Sequence, residues 1–124
     1  MNLLEVNVLV LAYMGDTIYE NYVRKYLINK GISNVNDLQH EAVSYVSAKS
    51  QAKFLQTMID LNFLLEDEID IVKRARNNKN NSHPKNCDII TYKYATGLEA
   101  LIGFLELQNN NNRIKEIMNF IIGE

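Results

Sequence analysis

The stretch Leu11-Ala12-Tyr13-Met14-Gly15-Asp16-Thr17-Ile18-Tyr19-Glu20 lies inside a longer apolar run, Val8 to Ile28. Apolar residues recur along it at helical steps, with Leu11, Met14, Ile18, Tyr22 and Leu27 on the expected buried stripe. Gly31 supplies a stop for this first helix. A glycine in mid-helix costs about 1 kcal/mol relative to alanine. Gly15 also leaves open space beside the Asp16 carboxylate. Taken alone, the segment fits a helix-packing glycine with a solvated aspartate as readily as a functional acid.

Working outward, breakers are scarce: one proline, Pro84, and five glycines in 124 residues. Long helices are the economical reading. Asn36 is the expected N-cap of a second helix, with Gln39 completing a capping box and Leu38, Ala42, Tyr45 and Val46 on its buried side. Ser47 starts a third, with Ala48, Ala52, Leu55, Ile59 and Phe63 at helical spacing. Glu66 to Arg76 is a shorter helix whose acidic first turn and basic last turn suit the helix dipole. Asn77 to Asn86 is a polar loop. Ile89 to Gln108 is a long helix with Tyr92, Ala95, Leu98, Ile102 and Leu105 along one face. After a polar break at Asn109 to Asn112, Arg113 to Ile122 forms the last helix. No segment alternates with the period of a strand, and no internal repeat is present. The expected fold class is all-α, several packed helices in a single domain, residues 1–124.

Composition narrows the function classes. At 47% apolar and 23% charged residues the chain reads as a soluble globular protein and not as a disordered one. No apolar stretch approaches the roughly 18 to 20 residues that span a bilayer, and Met1 to Glu5 lacks the marks of a signal peptide. A cytoplasmic protein with no membrane partner is expected. The single cysteine, Cys87, excludes an intrachain disulfide and a cysteine-based structural zinc site, and reads as a free, buried thiol in a reducing compartment. His40 and His83 stand at no metal-ligand spacing. The net charge of −2, from 13 basic against 15 acidic residues, disfavours a polyanionic ligand overall. The distribution points the other way. Between Lys73 and Lys93 stand Lys73, Arg74, Arg76, Lys79, Lys85 and Lys93 against one acid, Asp88, immediately after an acidic cluster at Glu66, Asp67, Glu68 and Asp70.

A second isolated acid, Glu99, sits among small and apolar residues in Ala95-Thr96-Gly97-Leu98-Glu99-Ala100-Leu101-Ile102-Gly103. Burying a carboxylate is costly unless a cation or hydrogen bonds compensate it. Asp16 and Glu99 on two helices that can cross therefore suggest a shared cation. Their hard oxygen donors suit Mg²⁺, or Mn²⁺ in its place. Arg74, Arg76, Lys79 and Lys85 flank the polar loop and are candidates to grip phosphate. Lys49, at the start of the third helix, is another. Carboxylates for a divalent ion together with cations for phosphate are what metal-assisted phosphodiester hydrolysis needs.

Five blocks then carry a resemblance. They are Leu11 to Glu20; Val46-Ser47-Ala48-Lys49-Ser50-Gln51-Ala52; Lys73-Arg74-Ala75-Arg76-Asn77; Pro84-Lys85-Asn86; and Thr91 to Gly103. In this order they resemble the ribonuclease III family, and most of all its short branch, Mini-ribonuclease III. The resemblance covers nearly the whole chain. It implies an all-helical endonuclease domain that cuts double-stranded RNA and leaves 5′-phosphates. It also implies a homodimer with one metal-dependent site per subunit, and no separate double-stranded-RNA-binding domain. Asp16 matches the family's catalytic aspartate and Glu99 its catalytic glutamate. The implied task is maturation of the large-subunit (23S) ribosomal RNA precursor in bacteria, assisted by a large-subunit ribosomal protein. Two positions depart from the longer enzymes, which carry acids where this chain has Ala12 and Thr96. Glu20, one turn beyond Asp16, is expected to be structural. The rival readings are a catalytically silent RNA-binding homologue and a helical protein-interaction module.

Overall fold

A short 3₁₀ turn (Leu3–Glu5) leads into six α-helices among the described residues: α1 (Val8–Asn29), α2 (Val35–Val46), α3 (Ala48–Asp60), α4 (Glu66–Arg76), α5 (Ile89–Leu107) and α6 (Asn111–Ile122). The computed structural model describes residues 1–79 and 82–123. Asn80 and Asn81, inside the expected loop, and Glu124 lie outside the described residues. No strand occurs among the described residues, as the absence of alternation implied.

Helix α5 is the axis of the fold, and α1, α3 and α4 pack around it. Its apolar residues were expected on one face. Instead Ala95 to Leu105 is buried almost without interruption, with only Glu99 partly open. A helix apolar on all sides must be covered on all sides. The core joins Leu11, Tyr19, Val23 and Leu27 of α1 to Leu55 and Met58 of α3, Ile71 and Val72 of α4, and Ile114, Ile117 and Met118 of α6.

The buried face of α1 differs from the expected stripe. It consists of Val8, Leu11, Ala12, Gly15, Tyr19, Val23 and Leu27, while Met14 is 36% exposed and Ile18 and Tyr22 are half-buried. The helix turns its small-residue edge to α5 because the two backbones meet there, where larger side chains cannot fit. Helix α2 likewise starts earlier than expected. Asn34, not Asn36, is its cap, and the Asn34 side-chain oxygen accepts from the N–H groups of Asn36 (2.9 Å) and Asp37 (3.2 Å). Asn36 is already helical and cannot take the extended backbone a cap requires. Ser47 caps α3 as expected, accepting from the Ser50 N–H at 3.2 Å. The asparagines between α5 and α6 carry turn chemistry: Asn109 has φ 60°, and Asn110 caps α6.

Glu68 was expected to serve the dipole of α4, and does more. It is 1% exposed and forms a two-pronged ion pair with Arg113 of α6, Nε and Nη2 each at 2.8 Å from a carboxylate oxygen. Arg113 also donates to the Phe63 carbonyl (2.7 Å) and stacks on the Phe63 ring, while the Leu65 N–H donates to Glu68 (2.9 Å). This lock ties the start of α4 to the start of α6.

Candidate active site

Helices α1 and α5 approach more closely than side chains permit. A Cβ on Gly15 would lie 1.7 Å from the Glu99 carbonyl oxygen and 2.7 Å from the Gly103 nitrogen. One on Gly103 would lie 1.8 Å from the Leu11 carbonyl oxygen. The two glycines therefore exist for a backbone-to-backbone crossing, which outweighs their poor helix propensity. The crossing sets Asp16, the neighbour of Gly15, beside Glu99, whose own backbone Gly15 touches.

Asp16 is exposed at the mouth of this junction and Glu99 lies deeper, only partly open to solvent. The Glu99 carboxyl is pushed up to about 9. Burial is the largest cause, followed by hydrogen bonding to Asp16 and the charge of Asp16; a hydrogen bond from Gln51 opposes them, and Glu20 adds further repulsion. Neither acid takes part in an ion pair among the described residues. Glu20 is itself paired with Arg24 at 3.3 Å on the surface of α1.

The donor set fits a hard divalent cation. A half-buried carboxyl held high in proton affinity, with a second, exposed carboxylate beside it, is what such an ion would relieve. Among the described residues no group of three or more His, Cys, Asp or Glu stands ready to hold a metal. Asp16 and Glu99 could supply two anionic ligands, the small protein share that Mg²⁺ sites commonly take. Ala12 and Thr96, the positions that depart from the longer enzymes, are each only 7% exposed, and the Thr96 hydroxyl donates to the Tyr92 carbonyl at 2.8 Å.

Sequence reasoning assigned no role to Gln51. It is 3% exposed, and its side-chain amide opposes the rise in the proton affinity of Glu99. A signal for it exists in the chain: a polar residue one turn after Ser47 and one turn before Leu55, on the buried side of α3. Tyr19, fully buried, donates its hydroxyl to the Tyr45 carbonyl at 2.7 Å. Burial first, then the Glu99 charge, raises its proton affinity. It remains a neutral donor.

The candidate phosphate-gripping cations divide. Lys49 is exposed on the first turn of α3 and lines a cleft of about 510 Å³ with Ser47, Pro84, Asn86, Asp88 and Thr91. Exposed Lys85 lies between two of those lining residues, so the fold brings Lys49 and the loop together. Cys87, expected to be buried, is half-buried on the same cleft. Arg76 and Lys79 are exposed at and beyond the end of α4. Arg74 is different: it is half-buried, Nη2 donates to the Val6 carbonyl, and Nη1 is the one fully buried side-chain polar atom without a partner among the described residues. Lys93 donates to the Asn78 carbonyl at 2.7 Å. Arg74 ties α4 to the turn before α1, and Lys93 ties the start of the α4–α5 connection to α5, while Arg76, Lys79 and Lys85 face solvent.

Known proteins share this architecture and sequence. The model of the Ribonuclease III domain matches residues 9–110. Mini-ribonuclease 3 of Enterococcus faecalis is 44% identical over 118 residues, covering 95% of this chain and 89% of that protein. Mini-ribonuclease 3 of Brevibacillus brevis is 49% identical over 112 residues, covering 90% and 82%. A crystal structure of a Fusobacterium nucleatum protein superposes with a TM-score of 0.87 at 37% identity, covering 97% of this chain and 96% of that one.

Proposed function

The chain belongs to the ribonuclease III family, and from that premise we propose that it is an endoribonuclease that hydrolyses double-stranded RNA at the Asp16–Glu99 pair. The observation that carries this reading is the glycine-to-glycine crossing of α1 and α5, which sets two uncompensated acids side by side at a solvent-facing junction. Asp16 and Glu99 would hold a Mg²⁺ ion, with Mn²⁺ as a substitute. When bound, such an ion lowers the pKa of a coordinated water and stabilises charge on the reacting phosphate. Exposed Asp16 meets the phosphodiester, and Glu99 supports it from within. A water oxygen bonds to phosphorus, the bond to the 3′-oxygen breaks, and the products are a 5′-phosphate and a 3′-hydroxyl.

Lys49, Arg76, Lys79 and Lys85 hold the RNA backbone in this reading, and Arg74 contributes by anchoring α4, the helix that leads into the segment carrying the last two. Recognition rests on A-form shape and 2′-hydroxyls, since the deep major groove of RNA is closed to side chains. Residues 1–124 act as one catalytic domain. Two copies join through the exposed apolar flank of the first turns of α1, where Val10 is 53% and Tyr13 82% exposed, so that each strand of a duplex meets one site. The substrate is the 23S ribosomal RNA precursor in the bacterial cytoplasm, presented with the help of a large-subunit ribosomal protein. No helix among the described residues is long and apolar enough to cross a membrane.

The deciding experiment is single-turnover cutting of a duplex RNA by the wild type and Asp16→Asn, each with Mg²⁺ and with chelator. The wild type should cut only with Mg²⁺. The variant should be slower by about 10⁴-fold or more, with unchanged helical content and RNA affinity. Cutting by the variant at near wild-type rates removes Asp16 from the chemistry. A wild type that binds duplex RNA without cutting it is a silent homologue, and one that does neither is a protein-interaction module.

A further inference from the structure

We propose that the protein holds a single-stranded RNA segment, continuous with the duplex, in a cleft lined by lysine and tyrosine at the C-terminal end of α1. The inference rests on the reading of this chain as an RNA-binding enzyme and gives it a second contact surface.

The cleft has a volume of about 320 Å³ and is lined by Tyr22, Lys25, Tyr26, Asn29 and Lys30, with Ile122 from the end of α6. No acid is among the described residues that line it. Its charge is written in the chain. Between Glu20 and Asp37 stand Arg24, Lys25 and Lys30 and no acid, although the protein as a whole carries a net charge of −2. Arg24 is answered by Glu20 at 3.3 Å. Lys25 and Lys30 are exposed and enter no ion pair among the described residues. The Lys30 ammonium lies 5.5 Å from the centre of the Tyr26 ring, a cation–π contact that keeps it at the cleft. Tyr45 braces that ring edge-on at 6.0 Å.

Tyr22 and Tyr26 are half-buried, each packed against the core. Tyr22 has no aromatic partner among the described residues, so its ring is available to a base. Unanswered cations beside an aromatic platform are the combination that binds a single strand: phosphates meet the cations and bases stack on the ring. A duplex keeps its bases stacked inside and would leave the tyrosine unused. An acidic peptide would answer the lysines equally, and the RNA-binding reading decides between the two.

Helix geometry puts the cleft within reach of the Asp16–Glu99 junction and out of the path of a duplex. Lys30 follows Asp16 by 14 positions, which is about 21 Å along the axis and just under four turns, so it stands near the Asp16 side of α1. Lys25 follows by nine positions, about two and a half turns, so it stands on the opposite side. A stiff duplex lying over Asp16 cannot also touch Lys25. A flexible strand leaving that duplex passes Lys30, seats a base on Tyr22 with the Asn29 amide at its edge, and brings a phosphate to Lys25.

The test measures RNA affinity in the Asp16→Asn background, which does not cut, with a duplex RNA that is either blunt or carries a single-stranded extension. The extended RNA should bind about tenfold more tightly than the blunt one. Lys25→Gln with Lys30→Gln should remove that preference, while affinity for the blunt duplex and the melting temperature hold. On the extended RNA the same variant should lower the slope of log affinity against log salt by about 1.4, since each phosphate contact on a single strand contributes about 0.7. Tyr22→Leu keeps the apolar packing and removes the ring. It should weaken binding of the extended RNA by about fivefold or more with the salt slope unchanged. Both lysines are exposed, so their variant decides the question should Tyr22→Leu not fold. Equal affinity for the two RNAs, a preference that survives the lysine or the tyrosine substitution in folded protein, or equal loss on both RNAs overturns the proposal. A protein that binds neither RNA overturns instead the RNA-binding reading on which it rests.

Discussion

Glu68 and Glu99 are both glutamates sunk into a helical core, and their surroundings are opposite. Glu68 meets Arg113 with two hydrogen bonds of 2.8 Å and a backbone N–H at 2.9 Å, so its charge is answered within the protein. Glu99 meets Asp16 and Glu20, with only the amide of Gln51 to offset them. The first arrangement is complete and holds the ends of α4 and α6 together. The second has no cationic partner among the described residues. A buried acid by itself therefore says little about function; what distinguishes the two is whether the fold supplies the counter-charge.

The largest effect should come from breaking the complete site. Glu68→Ala leaves Arg113 buried without its partner, which typically costs about 3–5 kcal/mol. Urea denaturation should show that loss, while the folded fraction retains full cutting activity. A loss below about 1 kcal/mol would show that the pair is dispensable to the fold.

The next effect concerns the crossing that creates the incomplete site. Gly15→Ala places a methyl against the Glu99 carbonyl, and with backbone on both sides only separation of the helices relieves the overlap. A loss of about 3 kcal/mol, together with loss of cutting, is expected. Gly97→Ala is the control on the same helix. Its Cβ would find Leu55, Ala75 and Val72 at 3.4–3.6 Å, ordinary contact distances, so stability should hold or rise by up to about 1 kcal/mol. Equal losses for the two would remove the special status of the α1–α5 contact.

Glu99→Gln should act in the opposite direction to Glu68→Ala. The folded-state value of Glu99 is raised from 4.5 to about 9, so the folded protein holds this proton more tightly than the unfolded chain. The stability it contributes is present below about pH 4.5 and is lost as pH rises toward 9. Metal-free Glu99→Gln should therefore match the wild type near pH 4.5 and exceed it at pH 8 in thermal melts, while losing activity. Saturating Mg²⁺ should close the gap by stabilising the wild type alone. A wild type as stable as the variant at pH 8 without metal would mean that Glu99 has a counter-charge after all.

The smallest effect on folding, and a clear one on binding, belongs to the exposed cations. Replacing Arg76, Lys79 and Lys85 by Ala should leave the melting temperature nearly unchanged. In the Asp16→Asn background, each cation that no longer meets a phosphate should reduce the slope of log affinity against log salt by about 1. An unchanged slope would route the RNA over another face. Arg74→Ala should instead destabilise the protein, because that side chain is tied to Val6.

Much was legible in the chain itself. The helical periodicity of Val8 to Ile28 and the scarcity of breakers determined an all-α fold, because spacing and backbone stops act locally. Asp16 and Glu99 could be read as two acids on helices that can cross, because an isolated acid among apolar residues asks for a counter-charge; that Gly15 and Gly103 make the crossing, where open space had been expected beside Asp16, came from the packing. Ser47 and the span Glu66–Arg76 were equally plain, being set by capping and local charge. What the tertiary structure alone decided depended on which groups meet across the fold. Helix α1 turned Ala12 and Gly15 inward and left Met14 at the surface, because contact with α5 outranked side-chain size. Glu68 found Arg113, 45 residues away, and became structural. Arg74 turned inward to Val6 and separated from the cations around it. Gln51, one polar residue among others in α3, came to lie beside Glu99. In each case the determining quantity was the desolvation of a polar group and the partner available to offset it, and that is a property of the packed chain rather than of any segment.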